Sequence, residues 1–139
     1  MNDVPLSKEA LQEWLLRSPF NAFLGIEVLT ADPAKQEVVM QLKMRPEFER
    51  RAGTGQWHGG PIAAAIDTVG DFALAMLIGN PLPTIHFRID YLRPALNALT
   101  FVARVRRSGK SVGVVDVDVL NDAGVLVAIG RANYSTLPS

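Results

Sequence analysis

The spacing of apolar residues changes along the chain, and the changes predict its elements. Ser7-Lys8-Glu9-Ala10 reads as a helix cap, and Ala10, Leu11, Trp14 and Leu15 follow at helical spacing. This predicts a short N-terminal helix over about 7–17, ended by Ser18-Pro19. Phe23 to Thr30 and Glu37 to Met44 are extended runs on either side of Ala31-Asp32-Pro33, which predicts a first hairpin. Arg45 to Gly55 is polar and contains Gly53 and Gly55, so it reads as a loop. Gly59-Gly60-Pro61 then opens a long run of Ala, Ile, Leu and Met. A proline suits the first position of a helix, and Gly79-Asn80-Pro81 suits a stop after Ile78. Thr84 to Leu92, Leu99 to Arg107, Val112 to Leu120 and Val125 to Tyr134 read as strands. Ser108-Gly109-Lys110 and Asn121-Asp122-Ala123-Gly124 supply turn residues between the last three. One apolar helix among short strands is covered only if the sheet wraps round it. The predicted class is α+β, an antiparallel sheet curled round a long central helix, in one domain over residues 1–139.

Composition narrows the function. The 139 residues are 48% hydrophobic and 20% charged, enough apolar material for a core. Fourteen basic residues balance fourteen acidic ones. No overall field is expected to gather nucleic acid or an anionic membrane. No cysteine is present, so disulfides, zinc ribbons and thiol catalysis are excluded. Met1 to Pro5 lacks the basic and apolar parts of a signal peptide, which leads us to expect a cytoplasmic protein. No metal-ligand cluster or redox-cofactor motif appears, so we expect neither metal nor cofactor.

The central helix carries the unusual chemistry. Asp67, Thr68 and Asp71 interrupt an otherwise apolar run from Pro61 to Ile78. Asp67 and Asp71 are four apart and share a face, where like charges repel and burial penalises each. Two readings compete: a reactive site, or structural pairing with arginines at a subunit interface. His58 alone reads as a loop histidine bonded to backbone. Gly59-Gly60 beside it changes that balance. Glycines admit a substrate close to the backbone, and the first N–H groups of a helix lack intrahelical partners. Such donors, backed by the helix dipole, stabilise a developing oxyanion. Eight residues of helix rise about 12 Å, so one helix cannot place Gly59 and Asp67 on the same carbon. If both act, a second copy of the chain supplies one of them.

The run Trp57-His58-Gly59-Gly60-Pro61-Ile62-Ala63-Ala64-Ala65-Ile66-Asp67-Thr68 resembles the His-Gly-Gly loop and helical acid of the hotdog-fold acyl-CoA thioesterases. The match is to their phenylacetate-pathway (PaaI-like) branch. Thr84-Ile85-His86-Phe87-Arg88-Ile89-Asp90-Tyr91-Leu92-Arg93-Pro94-Ala95 resembles the family strand that ends in Tyr-Leu-Arg-Pro-Ala. Arg106-Arg107-Ser108-Gly109-Lys110-Ser111 resembles the turn beside coenzyme A, and the likeness runs from about Phe20 to Tyr134.

The resemblance implies hydrolysis of an acyl-CoA thioester to a carboxylic acid and coenzyme A, which is part of the substrate rather than a cofactor. It implies Asp67 as nucleophile or general base, and the Gly59 N–H as donor to the thioester oxygen. His58 would orient or polarise the thioester, and Thr84 would stand near the hydrolytic water. Gly60, Thr68 and His86 would contact substrate. Arg106, Arg107, Gly109, Lys110 and Ser111 would face the nucleotide end of coenzyme A. A homodimer or homotetramer with sites shared between subunits is implied, with no nucleic acid or membrane partner.

Three features depart from the pattern. Related enzymes often carry Asn or Gln six residues before the His, and here that residue is Ala52, with Gln56 nearby. His86 and Arg88 are less typical of their strand. Ala52 favours a rival reading, a non-catalytic acyl-CoA sensor, whereas Asp67 favours the enzyme. A third reading is a hydratase or dehydratase with His58 as base. Trp57, Phe72, Met76 and Phe87 are either core or the lining of an aromatic or medium-chain acyl pocket.

Overall fold

The computed structural model describes residues 3–138. Helix α1 spans Lys8–Leu16, and the Ser7 hydroxyl accepts from the Ala10 N–H at 3.1 Å. A second helix, α2, follows at once over Pro19–Leu24. Ser18-Pro19 therefore starts a helix as well as ending one. The Ser18 hydroxyl accepts from the Asn21 N–H at 3.3 Å, and Pro19 sits where a helix has no use for an N–H. The extended run expected from Phe23 is corrected accordingly. Gly25 closes α2 with φ of 70°, and strand β1 begins only at Glu27.

Strands β1 (Glu27–Asp32) and β2 (Glu37–Leu42) form the first hairpin. The expected loop from Arg45 to Gly55 holds a single 3-10 turn, Pro46–Phe48. Helix α3 then runs unbroken from Gly59 to Ile78, two residues earlier than Pro61 suggested. The reason is His58, whose side chain caps the helix in place of the usual Ser, Thr, Asp or Asn. Strands β3 (Thr84–Tyr91), β4 (Leu99–Ser108), β5 (Val112–Leu120) and β6 (Leu126–Ser135) complete the fold.

All six strands pair antiparallel in one sheet of order β1-β2-β4-β5-β6-β3. The sheet curls round α3, which packs on β2, β3, β4, β5 and β6. Ile66, Val69, Leu74 and Met76 of α3 meet Val38, Met40, Phe101, Val115 and Val117 in a closed core. Side chains of this size each contribute about 1.5–3 kcal/mol when fully buried. The helix is long and apolar enough to cross a membrane, but 56% of its apolar window is buried inside this fold. It is the core of the domain.

Two glycines set how close helix and sheet come. A Cβ on Gly70 would meet the Tyr134 hydroxyl at 2.4 Å, and one on Gly130 would meet Ile66 Cγ2 at 2.7 Å. Real Cβ atoms essentially never come so close, so each glycine leaves room for a side chain of the facing element, Tyr134 of β6 over Gly70 and Ile66 of α3 over Gly130. Strand β3 closes the other end of the sheet as an edge, with Ile85 56% exposed.

Candidate active site

Two clusters of polar groups lie on α3. The first surrounds Asp67 near the middle of the helix. Its carboxylate Oδ1 accepts a hydrogen bond from the Thr84 hydroxyl at 2.7 Å. The backbone carbonyl of Asp67 accepts from the Tyr134 hydroxyl at 2.6 Å. Burial, and then the nearby acids Asp67 and Asp71, raise the Tyr134 phenol well above its ordinary range, so it stays a donor. A bulge at Ile85 brings Thr84 to the helix, because the β3–β6 register shifts between Thr84 and His86.

Asp71 lies one turn further along. Its carboxyl accepts the Leu82 N–H at 2.7 Å and is otherwise desolvated. Burial pushes its pKa up to about 7; the Leu82 N–H pulls it down and the charge of Asp67 adds a smaller upward push. The two acids expected to share a face do so, but their surroundings differ.

The second cluster is at the start of α3. His58 Nδ1 accepts from the Gly60 N–H at 2.8 Å, and the Tyr91 hydroxyl donates to the Gly59 carbonyl at 2.7 Å. As the first residue of the helix, Gly59 has an N–H outside the helical ladder. A cleft of about 510 Å³ opens there, lined among others by Gln56, His58, Gly59, Tyr91 and Arg93. A second cleft of about 370 Å³ lies on the other side of His58 and Gly60. Phe20, Phe23, Leu24, Phe48 and Pro61 make it apolar. The Arg45 guanidinium stacks over the Phe23 and Phe48 rings, 4.7 and 4.3 Å from their centroids, and holds the aromatic wall in place.

The structure therefore joins Asp67 to Thr84, and His58 to Gly59 and Gly60, but keeps the two sets at different levels of one helix. Other expected contacts are not brought together within this chain. His86 is turned away because Phe87 and Ile89 pack on the core, which leaves His86, Arg88 and Asp90 on the opposite face of β3. The Thr68 hydroxyl donates to the Ala64 carbonyl at 2.8 Å and faces Asn21 of α2 at 3.4 Å. Arg106 lies 3.6 Å from Asp116, an acid already held by Arg131. Gly109, Lys110 and Ser111 form the β4–β5 turn, where Arg107 lies across Gly109 and Lys110 is exposed. Trp57, Phe72 and Met76 are core, at most 4% exposed, and none lines the aromatic cleft.

Several lining residues escaped the sequence reading. Tyr91 and Arg93 stood inside a matched motif, but nothing in their spacing gave them a role. Phe20 and Phe23 were missed because no helix was expected over Pro19–Leu24, and Phe23 was read as the start of a strand. Gln56, not residue 52, lines the cleft beside Gly59; Ala52 sits in an exposed turn. Among the described residues, no cluster of three potential metal ligands exists.

Residues 54–128 match the family model described as the thioesterase superfamily. The chain belongs to the thioesterase superfamily. A member of known structure is 37% identical, with a TM-score of 0.85 over 91% of this chain and 96% of its own. Human acyl-coenzyme A thioesterase 13 is 30% identical over 129 residues, 89% of each chain. The PaaI protein from the phenylacetic acid degradation operon of E. coli shares the fold at 23% identity. Its TM-score is 0.74, and the match covers 93% of this chain and 97% of that one. The expected hotdog architecture is thus the observed one, and this superfamily member is a thioester hydrolase.

Proposed function

We propose that the chain hydrolyses acyl-CoA with Asp67 as general base. The observation that carries this reading is the Thr84–Asp67 hydrogen bond. It engages one carboxylate oxygen and leaves the other for a water molecule. In the proposed reaction, Asp67 takes a proton from that water as its oxygen attacks the thioester carbon. The carbonyl oxygen gains negative charge, which the Gly59 N–H and the positive end of α3 stabilise. Collapse of the tetrahedral intermediate breaks the carbon–sulfur bond and releases coenzyme A as its thiolate, which takes up a proton. The acyl group lies in the aromatic cleft, whose rim includes His58 and Gly60. Human acyl-coenzyme A thioesterase 13 supports the substrate class.

Asp67 and Gly59 lie on one unbroken helix, about 12 Å apart by rise per residue. Two copies related by a two-fold axis bring Gly59 of each to Asp67 of the other. The test uses Asp67→Ala and Gly59→Pro, the second of which removes the donor N–H. His58 already has ψ of 143°, which a following proline accepts, but the proline Cβ would crowd the Tyr91 ring, so Gly59→Pro is first shown to fold by circular dichroism. Each variant alone is expected to release no thiol from acyl-CoA. Refolded together, they regain about a quarter of wild-type sites if pairing is random. Wild-type protein that binds acyl-CoA without releasing thiol would be a sensor. Verified mixed pairs of folded variants that remain inactive would remove the shared site.

A further inference from the structure

We propose that Tyr91 is a positioning residue that acts on His58 through the Gly59–Gly60 peptide. The two hydrogen bonds at the start of α3 fall on opposite ends of one peptide group. Its carbonyl oxygen, on Gly59, accepts from the Tyr91 hydroxyl at 2.7 Å. Its N–H, on Gly60, donates to His58 Nδ1 at 2.8 Å. A peptide that accepts at oxygen and donates at nitrogen is polarised in one direction, and each bond strengthens the other. Tyr91 thus makes the Gly60 N–H a better donor to the imidazole.

The imidazole has two nitrogens and, when neutral, one proton. Nδ1 accepts from Gly60, so it carries none, and the proton is on Nε2. His58 is exposed and lines the cleft with Gly59 and Tyr91, so Nε2–H is a second donor available beside the Gly59 N–H. The relay fixes which nitrogen donates without placing a charge on the ring.

The Tyr91 ring also fits the backbone rather than merely approaching it. A Cβ on Gly59 would stand 3.1 Å from the Tyr91 hydroxyl and 3.2 Å from Cζ. The ring therefore occupies the space that a side chain at 59 would need. This explains a glycine at 59 by close packing, independently of any φ requirement. It also ties β3, which carries Thr84 at its other end, to the first turn of α3.

The effect on rate rests on the hydrolase reading; the effect on the imidazole does not. Tyr91→Phe keeps the ring over Gly59 and removes only the hydroxyl. The chain has two histidines, so His86→Gln assigns the His58 signals in long-range proton–nitrogen spectra. In the wild type we expect His58 as the Nε2–H tautomer. In Tyr91→Phe its nitrogen shifts are expected to move toward a mixture of tautomers. We expect kcat for an acyl-CoA to fall about ten-fold, less than loss of a direct oxyanion donor, with KM within about two-fold. In a His58→Gln background the same change should cost less than about two-fold, because the group it acts on is gone. Unchanged His58 nitrogen shifts overturn the proposal. So does an unchanged kcat, or a ten-fold loss that persists without His58. If no acyl-CoA is hydrolysed by the wild type, the hydrolase reading fails and the spectra alone decide the relay.

Discussion

Asp67 and Asp71 are a single turn apart on α3, yet the regions around them do opposite things. Around Asp67 the chain supplies a hydroxyl from β3 and leaves the carboxylate partly open. Around Asp71 it supplies a backbone N–H and little else, and burial raises the acid to a pKa of about 7. In the proposed mechanism only the first holds and activates water. The second pays for its burial by keeping its proton across much of the acidic range. Spacing on a helix therefore identifies a pair of acids, but the strand and loop packed against each one decide its chemistry.

Removing the open carboxylate is the largest break of this contrast. Asp67→Asn is expected to lower kcat for acyl-CoA hydrolysis by ~10²-fold or more, the scale of general acid–base catalysis. The Tyr134 bond goes to the Asp67 backbone and survives the change, so folding should be little affected. Near-normal turnover by a folded Asp67→Asn protein would show that the base lies elsewhere.

A smaller break removes what distinguishes Asp67 from Asp71. Thr84→Val keeps a β-branched side chain on β3 and deletes the hydroxyl that holds the carboxylate. Turnover is expected to fall about ten-fold, since the base remains but loses its fixed orientation. An unchanged kcat in steady-state assays would mean that Thr84 does not position the base.

The same contrast explains how much the sequence disclosed. The β4–β5 and β5–β6 hairpins were legible because β-branched runs and turn residues adjoin each other in the chain. The long helix was legible from its apolar run, and its acids from their interruption of it. Helix α2 was not, because six residues are too few to show a helical period. Its Phe20 and Phe23 therefore entered no expected pocket. The Thr84–Asp67 bond joins residues seventeen apart through a bulge that no local pattern announces. The role of Tyr91 was equally hidden, because its partner is a backbone carbonyl on a different element.

The last test changes Asp71, with little expected effect on turnover and a clear effect on stability. In the folded chain its pKa is about 7, against 3.8 as the ordinary value. Between those two values the unfolded chain releases its proton while the folded chain retains it. The folded state then binds more protons than the unfolded state, so stability falls as pH rises through that window. Above about pH 7 both states are ionised and the loss is complete. At pH 4 most of the cost is absent, because the folded carboxyl is neutral and the unfolded one is only partly ionised. Asp71→Asn keeps an oxygen to accept the Leu82 N–H and has no charge to bury. The variant is therefore expected to exceed wild type in stability at pH 8, by up to a few kcal/mol. The advantage should shrink toward zero at pH 4. Denaturant unfolding at the two pH values measures it, and the difference between variants cancels titrations common to both. An equal change at both pH values would mean that the carboxyl is not held protonated by the fold. The two acids would then be more alike than their surroundings imply.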